Sequence, residues 1–115
     1  MEGLRVEIKV VVKHGQIPGD VQQLMEEKVR RLPRFFERIT SIMVLVDLGH
    51  IQAPKVEIRV SAEEREDFFA VEEGPTVMAA FDVVLERVER QLRKHKEKII
   101  HRRGREDRFS GELPN

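Results

Sequence analysis

The sequence predicts an α+β domain of element order β-α-β-β-β-α, with two helices packed on one face of a four-stranded, mostly antiparallel sheet. Three observations carry this reading. Strand-like runs occupy residues 4–13, 39–48, 55–62 and 67–73, and the first and third alternate apolar with polar residues. Two longer stretches repeat apolar residues at helical spacing. Breaks containing Gly or Pro separate several of these runs.

In the first run, Leu4, Val6, Ile8, Val10 and Val12 share one face, and His14-Gly15-Gln16 ends it. Residues 18–36 read as a helix: Pro18 suits a first turn, Asp20 the positive end of the helix dipole. Its apolar positions are Val21, Leu24, Met25, Val29, Leu32 and Phe36, and Pro33 is expected to end or bend it. Residues 39–48 form the second strand and 49–54 a turn region. The third strand points Val56, Ile58 and Val60 inward, and a charged turn leads to the fourth at 67–73. Gly74-Pro75 breaks the pattern, and Thr76 looks like an N-cap. The last helix, to about residue 103, carries the stripe Val77, Ala80, Phe81, Val84, Leu85, Val88, Leu92 and Ile99. At about 28 residues it spans roughly 42 Å, against roughly 27 Å for an eight-residue strand, so it should overhang the sheet. The first two strands are joined through a helix, which allows that pair to be parallel. The expected division is a folded domain over 1–103 and a polar, loose tail over 104–115.

The chain has 115 residues, the size of one ordinary domain, and 40% hydrophobic residues, enough for a packed core. It has no cysteine, which excludes disulfides, thiolate chemistry and zinc–thiolate sites. No apolar run reaches the roughly 18 residues of a membrane span, and Met1-Glu2-Gly3 does not open a signal peptide. The expectation is a cytoplasmic protein without a membrane partner.

The formal net charge of zero conceals a strong segregation. Residues 90–105 carry eight cations against Glu97, a net of +7, whereas residues 63–73 carry six carboxylates against Arg65, a net of −5. Arg87, Arg90, Lys94 and Lys98, spaced three, four and four apart, fall on one flank of the long helix outside its apolar stripe. Arg93 and Lys96 widen that patch, and Glu86–Arg90 and Glu89–Arg93 are plausible local pairs. The first helix repeats the theme: Lys28, Arg30, Arg31, Arg34 and Arg38 oppose Glu37, with Lys28, Arg31 and Arg34 off the core stripe. Side by side, the two helices would join these stripes into one basic groove suited to RNA phosphates, where binding weakens as salt rises. The plainer alternative is a solvated, salt-bridged helix surface.

Other constellations point to no chemistry. The histidines His14, His50, His95 and His101 lack ligand spacing, and neither a Gly-rich phosphate loop nor a nucleophile signature is present. The acidic run 63–67 reads as a solvated turn. Phe68 and Phe69 are strand neighbours, so one of them points outward. Asp82 suits the start of the long helix through its dipole. No cofactor, metal or small-molecule substrate is expected, and no enzymatic activity.

The segment Met78-Ala79-Ala80-Phe81-Asp82, followed by Arg90-Gln91-Leu92-Arg93-Lys94-His95-Lys96-Glu97-Lys98, resembles the second helix of ribosome hibernation-promoting factors, also called ribosome-associated inhibitors or sigma-factor modulation proteins. Phe35-Phe36-Glu37-Arg38-Ile39 resembles the end of that family's first helix, and His50 to Val60 the approach to its third strand. Met78 stands where the family usually carries an aromatic residue. The resemblance implies a double-stranded-RNA-binding-domain-like β-α-β-β-β-α fold and a ribosome-binding domain over 1–103. It also implies a partner, the small ribosomal subunit, bound in the channel of messenger and transfer RNA. The implied effect is silencing of translation under stress by occlusion. Its RNA-contacting positions fall on Lys28, Arg31, Arg87, Arg90, Lys94 and Lys98, with Arg34, Arg93 and Lys96 alongside. Long members carry a further dimerisation domain, so the chain is either a short form or the N-terminal part of a long one, and as it stands it is expected to be monomeric. The competing function is a protein-binding regulator whose basic helix docks on an acidic partner; RNase treatment separates the two.

Overall fold

The computed structural model describes residues 6–50 and 52–111, with side-chain environments as far as Lys98. The elements are β1 (Glu7–Lys13), α1 (Gly19–Val29), a short 3-10 turn (Leu32–Arg34), β2 (Ile39–Asp47), β3 (Lys55–Ala62), β4 (Phe68–Glu73) and α2 (Val77–Gly111). The sheet order is β1-β2-β3-β4. β1 pairs with β2 in parallel, as a helical connection permits, and the other two pairs are antiparallel.

Alternation along the strands decides which face is buried. Ile42, Val44 and Val46 of β2 stand in register with Val60, Ile58 and Val56 of β3. Ile58 and Val60 in turn face Ala70 and Phe68 of β4. All of these are buried, and Ile8, Val10 and Val12 of β1 pack against them half-buried. Ala80, Phe81, Val84, Leu85, Val88 and Leu92 of α2 close the other side of this core over β3 and β4, while α1 lies toward β1 and contributes Met25 and Val29. Among the described residues no polar or charged side chain is buried, so the core is held by apolar burial alone.

The first helix is shorter than its apolar spacing suggests. Pro33 has no N–H to donate to Val29 and its ring obstructs an α-helical turn, so α1 stops at Val29. The chain continues in 3-10 geometry, with Phe35 N–H donating to the Leu32 carbonyl at 2.9 Å. Leu32 and Phe36 still reach the core, but Leu24 does not; it is 41% exposed. The long helix begins as expected: the Thr76 hydroxyl accepts from the Ala79 N–H at 3.1 Å. Gly74 just before it gives room for a close approach, because a Cβ there would lie 3.0 Å from the Ala80 backbone nitrogen. At its far end α2 is helical through Gly111, so residue 103 is not a helix end. With 35 residues, about 52 Å, it overhangs the sheet. The expected core side chains of Leu4 and Ile99 lie outside the described residues.

Candidate nucleic-acid interface

Successive residues of an α-helix advance by about 100°, so the register that buries Val84, Val88 and Leu92 turns Arg90 away from the core and sets Arg87, Lys94 and Lys98 along one flank. All four are exposed. They are not equivalent. Arg87 Nη1 donates to Glu72 Oε1 of β4 at 2.6 Å. Arg90 is 3.6 Å from Glu86, one turn earlier. Lys94 and Lys98 have no ion-pair partner among the described residues, so their charge is the least offset. Arg93 points elsewhere, toward the segment after α1, where its guanidinium lies over the Phe35 ring at 5.4 Å. It makes no pair with Glu89 among the described residues. Lys96 is exposed beyond the last strand-covering turn.

Lys28 of α1 donates to Asp82 of α2 at 3.1 Å. This gives Asp82 a stronger role than a dipole partner: it ties the two helices together. Both groups are partly exposed, so the pair is worth at most about 1 kcal/mol, but it holds the Lys28 ammonium at the helix seam. Arg31 and Arg34 are exposed at and after the end of α1. Because α1 gives way to the 3-10 turn, they do not continue one regular helical face with Lys28. Beside the core that α1 and α2 share, long side chains add two links, Lys28 of α1 to Asp82 and Phe35 after α1 to Arg93.

The acidic segment is not a free turn. Glu64 pairs with Arg38 at 3.7 Å, Asp67 with Arg59 at 3.7 Å and Glu72 with Arg87 at 2.6 Å. The charges separated along the chain are therefore partly cancelled in space. Phe68 is buried, and its neighbour Phe69 is the outward one, at 49% exposure, with Arg59 over its ring at 4.6 Å.

Sequence reasoning missed a cleft beside that row. It is lined by Arg65 and Phe68 from the β3–β4 hairpin and by Gln91, Lys94, His95, Glu97 and Lys98 from α2. His95 packs edge-on against Phe36 and Phe68, with ring centroids at 5.1 and 5.5 Å. Arg65 stacks over Phe68 at 3.8 Å and its Nη1 lies 3.1 Å from His95 Nδ1. In that contact the guanidinium donates and the imidazole accepts, which requires neutral His95 with its proton on Nε2. Burial, and then the charges of Arg65 and Lys98, hold the His95 pKa below its ordinary value. The only sequence signal was Arg65 itself, the lone cation of an acidic run; its inward course depends on where the hairpin meets α2. Among the described residues no group of three or more His, Asp or Glu could hold a metal ion. No described helix is long and apolar enough to cross a membrane.

Comparison with known proteins gives a consistent picture. A family model described as sigma 54 modulation protein / S30EA ribosomal protein matches residues 8–100. A ribosome hibernation promoting factor of Azotobacter vinelandii is 37% identical over 83 residues, covering 71% of this chain and 75% of that protein. One from Pseudomonas putida is 28% identical over 93 residues, 81% of this chain and 89% of that protein. The N-terminal domain of Thermus thermophilus Protein Y shares the fold with a TM-score of 0.67 at 23% identity, covering 77% of this chain and 98% of that one. A ribosomal subunit interface protein from Coxiella burnetii does so with a TM-score of 0.70 at 20% identity, covering 79% and 98%.

Proposed function

The chain belongs to the sigma 54 modulation protein / S30EA ribosomal protein family, and from that premise we propose that it is a ribosome hibernation factor of the cytoplasm. It binds the small ribosomal subunit in the channel of messenger and transfer RNA and silences translation by occupying it. The observation that carries this reading is the exposed row Arg90, Lys94 and Lys98 along α2, which begins where Val88 and Leu92 anchor the helix in the core. Lys28, Arg31 and Arg34 at the end of α1 supply further cations, and Arg87, Arg93 and Lys96 flank the row. Ammonium and guanidinium groups at one-turn spacing suit a path of phosphates, and such contacts position a protein on folded RNA without reading its sequence. No bond is made or broken in this mechanism, and no cofactor or small-molecule substrate takes part. The chain acts as a monomer.

Co-sedimentation with purified small subunits tests the proposal. The protein should pellet at low salt and be released as salt rises, and the variant Arg90→Glu/Lys94→Glu/Lys98→Glu should stay in the supernatant while keeping its helical circular dichroism. Full binding by that variant removes the proposed site. Survival of a cellular complex through RNase treatment would instead favour docking of the basic helix on an acidic protein.

A further inference from the structure

We infer that the cleft between the β3–β4 hairpin and α2 is a phosphate-binding site, in which Arg65 acts with Lys94 and Lys98 on a single phosphoryl group of the bound RNA. The inference deepens the RNA-binding reading and rests on it; it adds a residue from the acidic hairpin that the helix pattern does not include.

The geometry supports this in three steps. First, Arg65 is held in place. Its guanidinium stacks on the buried Phe68 ring, its Nε–H donates to the Glu66 carbonyl and its Nη1 donates to His95. Second, it is not used up. An arginine has five N–H donors in a fixed fork, and two are engaged here, which leaves three for an oxyanion. A guanidinium already fixed by its neighbours loses little freedom on gripping a phosphate through two bonds. Third, it faces other unpaired cations. Lys94 and Lys98 line the same cleft and have no ion-pair partner among the described residues, and Glu97 is the one carboxylate in the lining. The four carboxylates around Arg65 in sequence do not compete for it: Glu64 and Asp67 are held by Arg38 and Arg59, and neither Glu63 nor Glu66 approaches the guanidinium with its side chain.

His95 reports on the occupant. Facing its ring are Arg65 from the hairpin, Lys98 from its own helix, and the uncharged Phe36 and Phe68. A phosphate between Arg65 and the lysines would offset the positive charges that hold its pKa down, and the pKa would rise.

The test uses the whole chain. NMR titration of His95 in inorganic phosphate, against chloride at equal ionic strength, should give a saturable upward shift of its pKa in the wild type and none in Arg65→Ala. In co-sedimentation, Arg65→Ala should bind small subunits about ten- to a hundredfold more weakly, the size expected for losing a charged hydrogen-bonded contact. An unchanged His95 titration in phosphate overturns the inference without any variant. So does wild-type affinity of Arg65→Ala, and there the charge-reversed α2 variant separates the two claims. If that variant fails to bind, the RNA-binding reading stands and only the cleft is excluded; if it binds normally, both fall.

Discussion

The sharpest quantitative consequence concerns salt. Replacing Arg90, Lys94 and Lys98 by Gln removes three cations without adding repulsion, and none of the three belongs to the core, since all are exposed. Each phosphate neutralised contributes about 0.7 to 0.9 to the slope of log affinity against log salt. With Arg90 on one phosphate and Lys94 and Lys98 sharing a second, the variant's slope should be shallower than the wild type's by about 1.4 to 1.8. Between 50 and 200 mM salt, a fourfold range, that difference corresponds to roughly 7- to 12-fold in affinity. The wild type should therefore bind far more tightly at 50 mM, with the advantage shrinking by that factor at 200 mM. The assay is small-subunit binding at a series of salt concentrations, by sedimentation or fluorescence anisotropy. Parallel slopes, whatever the absolute affinities, would refute the claim that these side chains contact phosphates. A loss of affinity with an unchanged slope would mean that they act through shape or through protein contacts.

Three further predictions follow from particular contacts. Glu72→Gln should free Arg87 from its 2.6 Å partner and raise small-subunit affinity by a few-fold, whereas Arg87→Ala should cost less binding than Lys94→Ala; equilibrium binding checks both. Phe81→Ala should destabilise the fold by about 3 to 5 kcal/mol, read as a lowered denaturant midpoint, because Phe81 is fully buried between α2 and the sheet. His95 is held below its ordinary pKa in the folded chain, so as pH falls from about 6.5 the unfolded chain takes up its proton first and stability declines until the folded-state pKa is passed. Thermal unfolding of wild type and His95→Gln across that range should show the slope in the first and its loss in the second.

What the sequence made legible follows from which forces are local. The strand at 55–62 was readable because burial on one face enforces alternation, and that at 39–47 as a short run rich in apolar residues; the two pair in the register that buries every inward Val and Ile. The N-cap at Thr76 was readable because it needs only a hydroxyl and an amide three residues on. The end of α1 was harder. Leu32 and Phe36 continue the helical spacing and do reach the core, but through a 3-10 turn, because the missing Pro33 N–H outweighs the apolar pattern. Leu24 fits the stripe by spacing yet is exposed, since α1 lies over the edge strand β1 and not across the sheet. The outward row on α2 was legible from spacing alone. Its partners were not: Asp82 meets Lys28 across 54 positions, and Arg65 meets His95 across 30, distances in sequence at which only the packed sheet decides who is adjacent.

That packing explains how a chain of zero net charge can present a row of exposed cations. An isolated helix with Arg87, Arg90, Lys94 and Lys98 stacked at one-turn spacing would be destabilised by self-repulsion. Here the acidic strand β4 runs beside the first half of α2 and Glu72 neutralises Arg87 there, while Glu86 relieves Arg90. Farther along α2, Lys94 and Lys98 have no ion-pair partner among the described residues. The carboxylates of the hairpin thus stabilise the helix where it is packed and leave it electropositive where it is not. The offset of positive charge is graded along one helix, largest at Arg87 over β4 and least at Lys94 and Lys98. Substitutions that shift this gradient, such as Glu72→Gln, should move the strongest contact toward Arg87 without altering the fold.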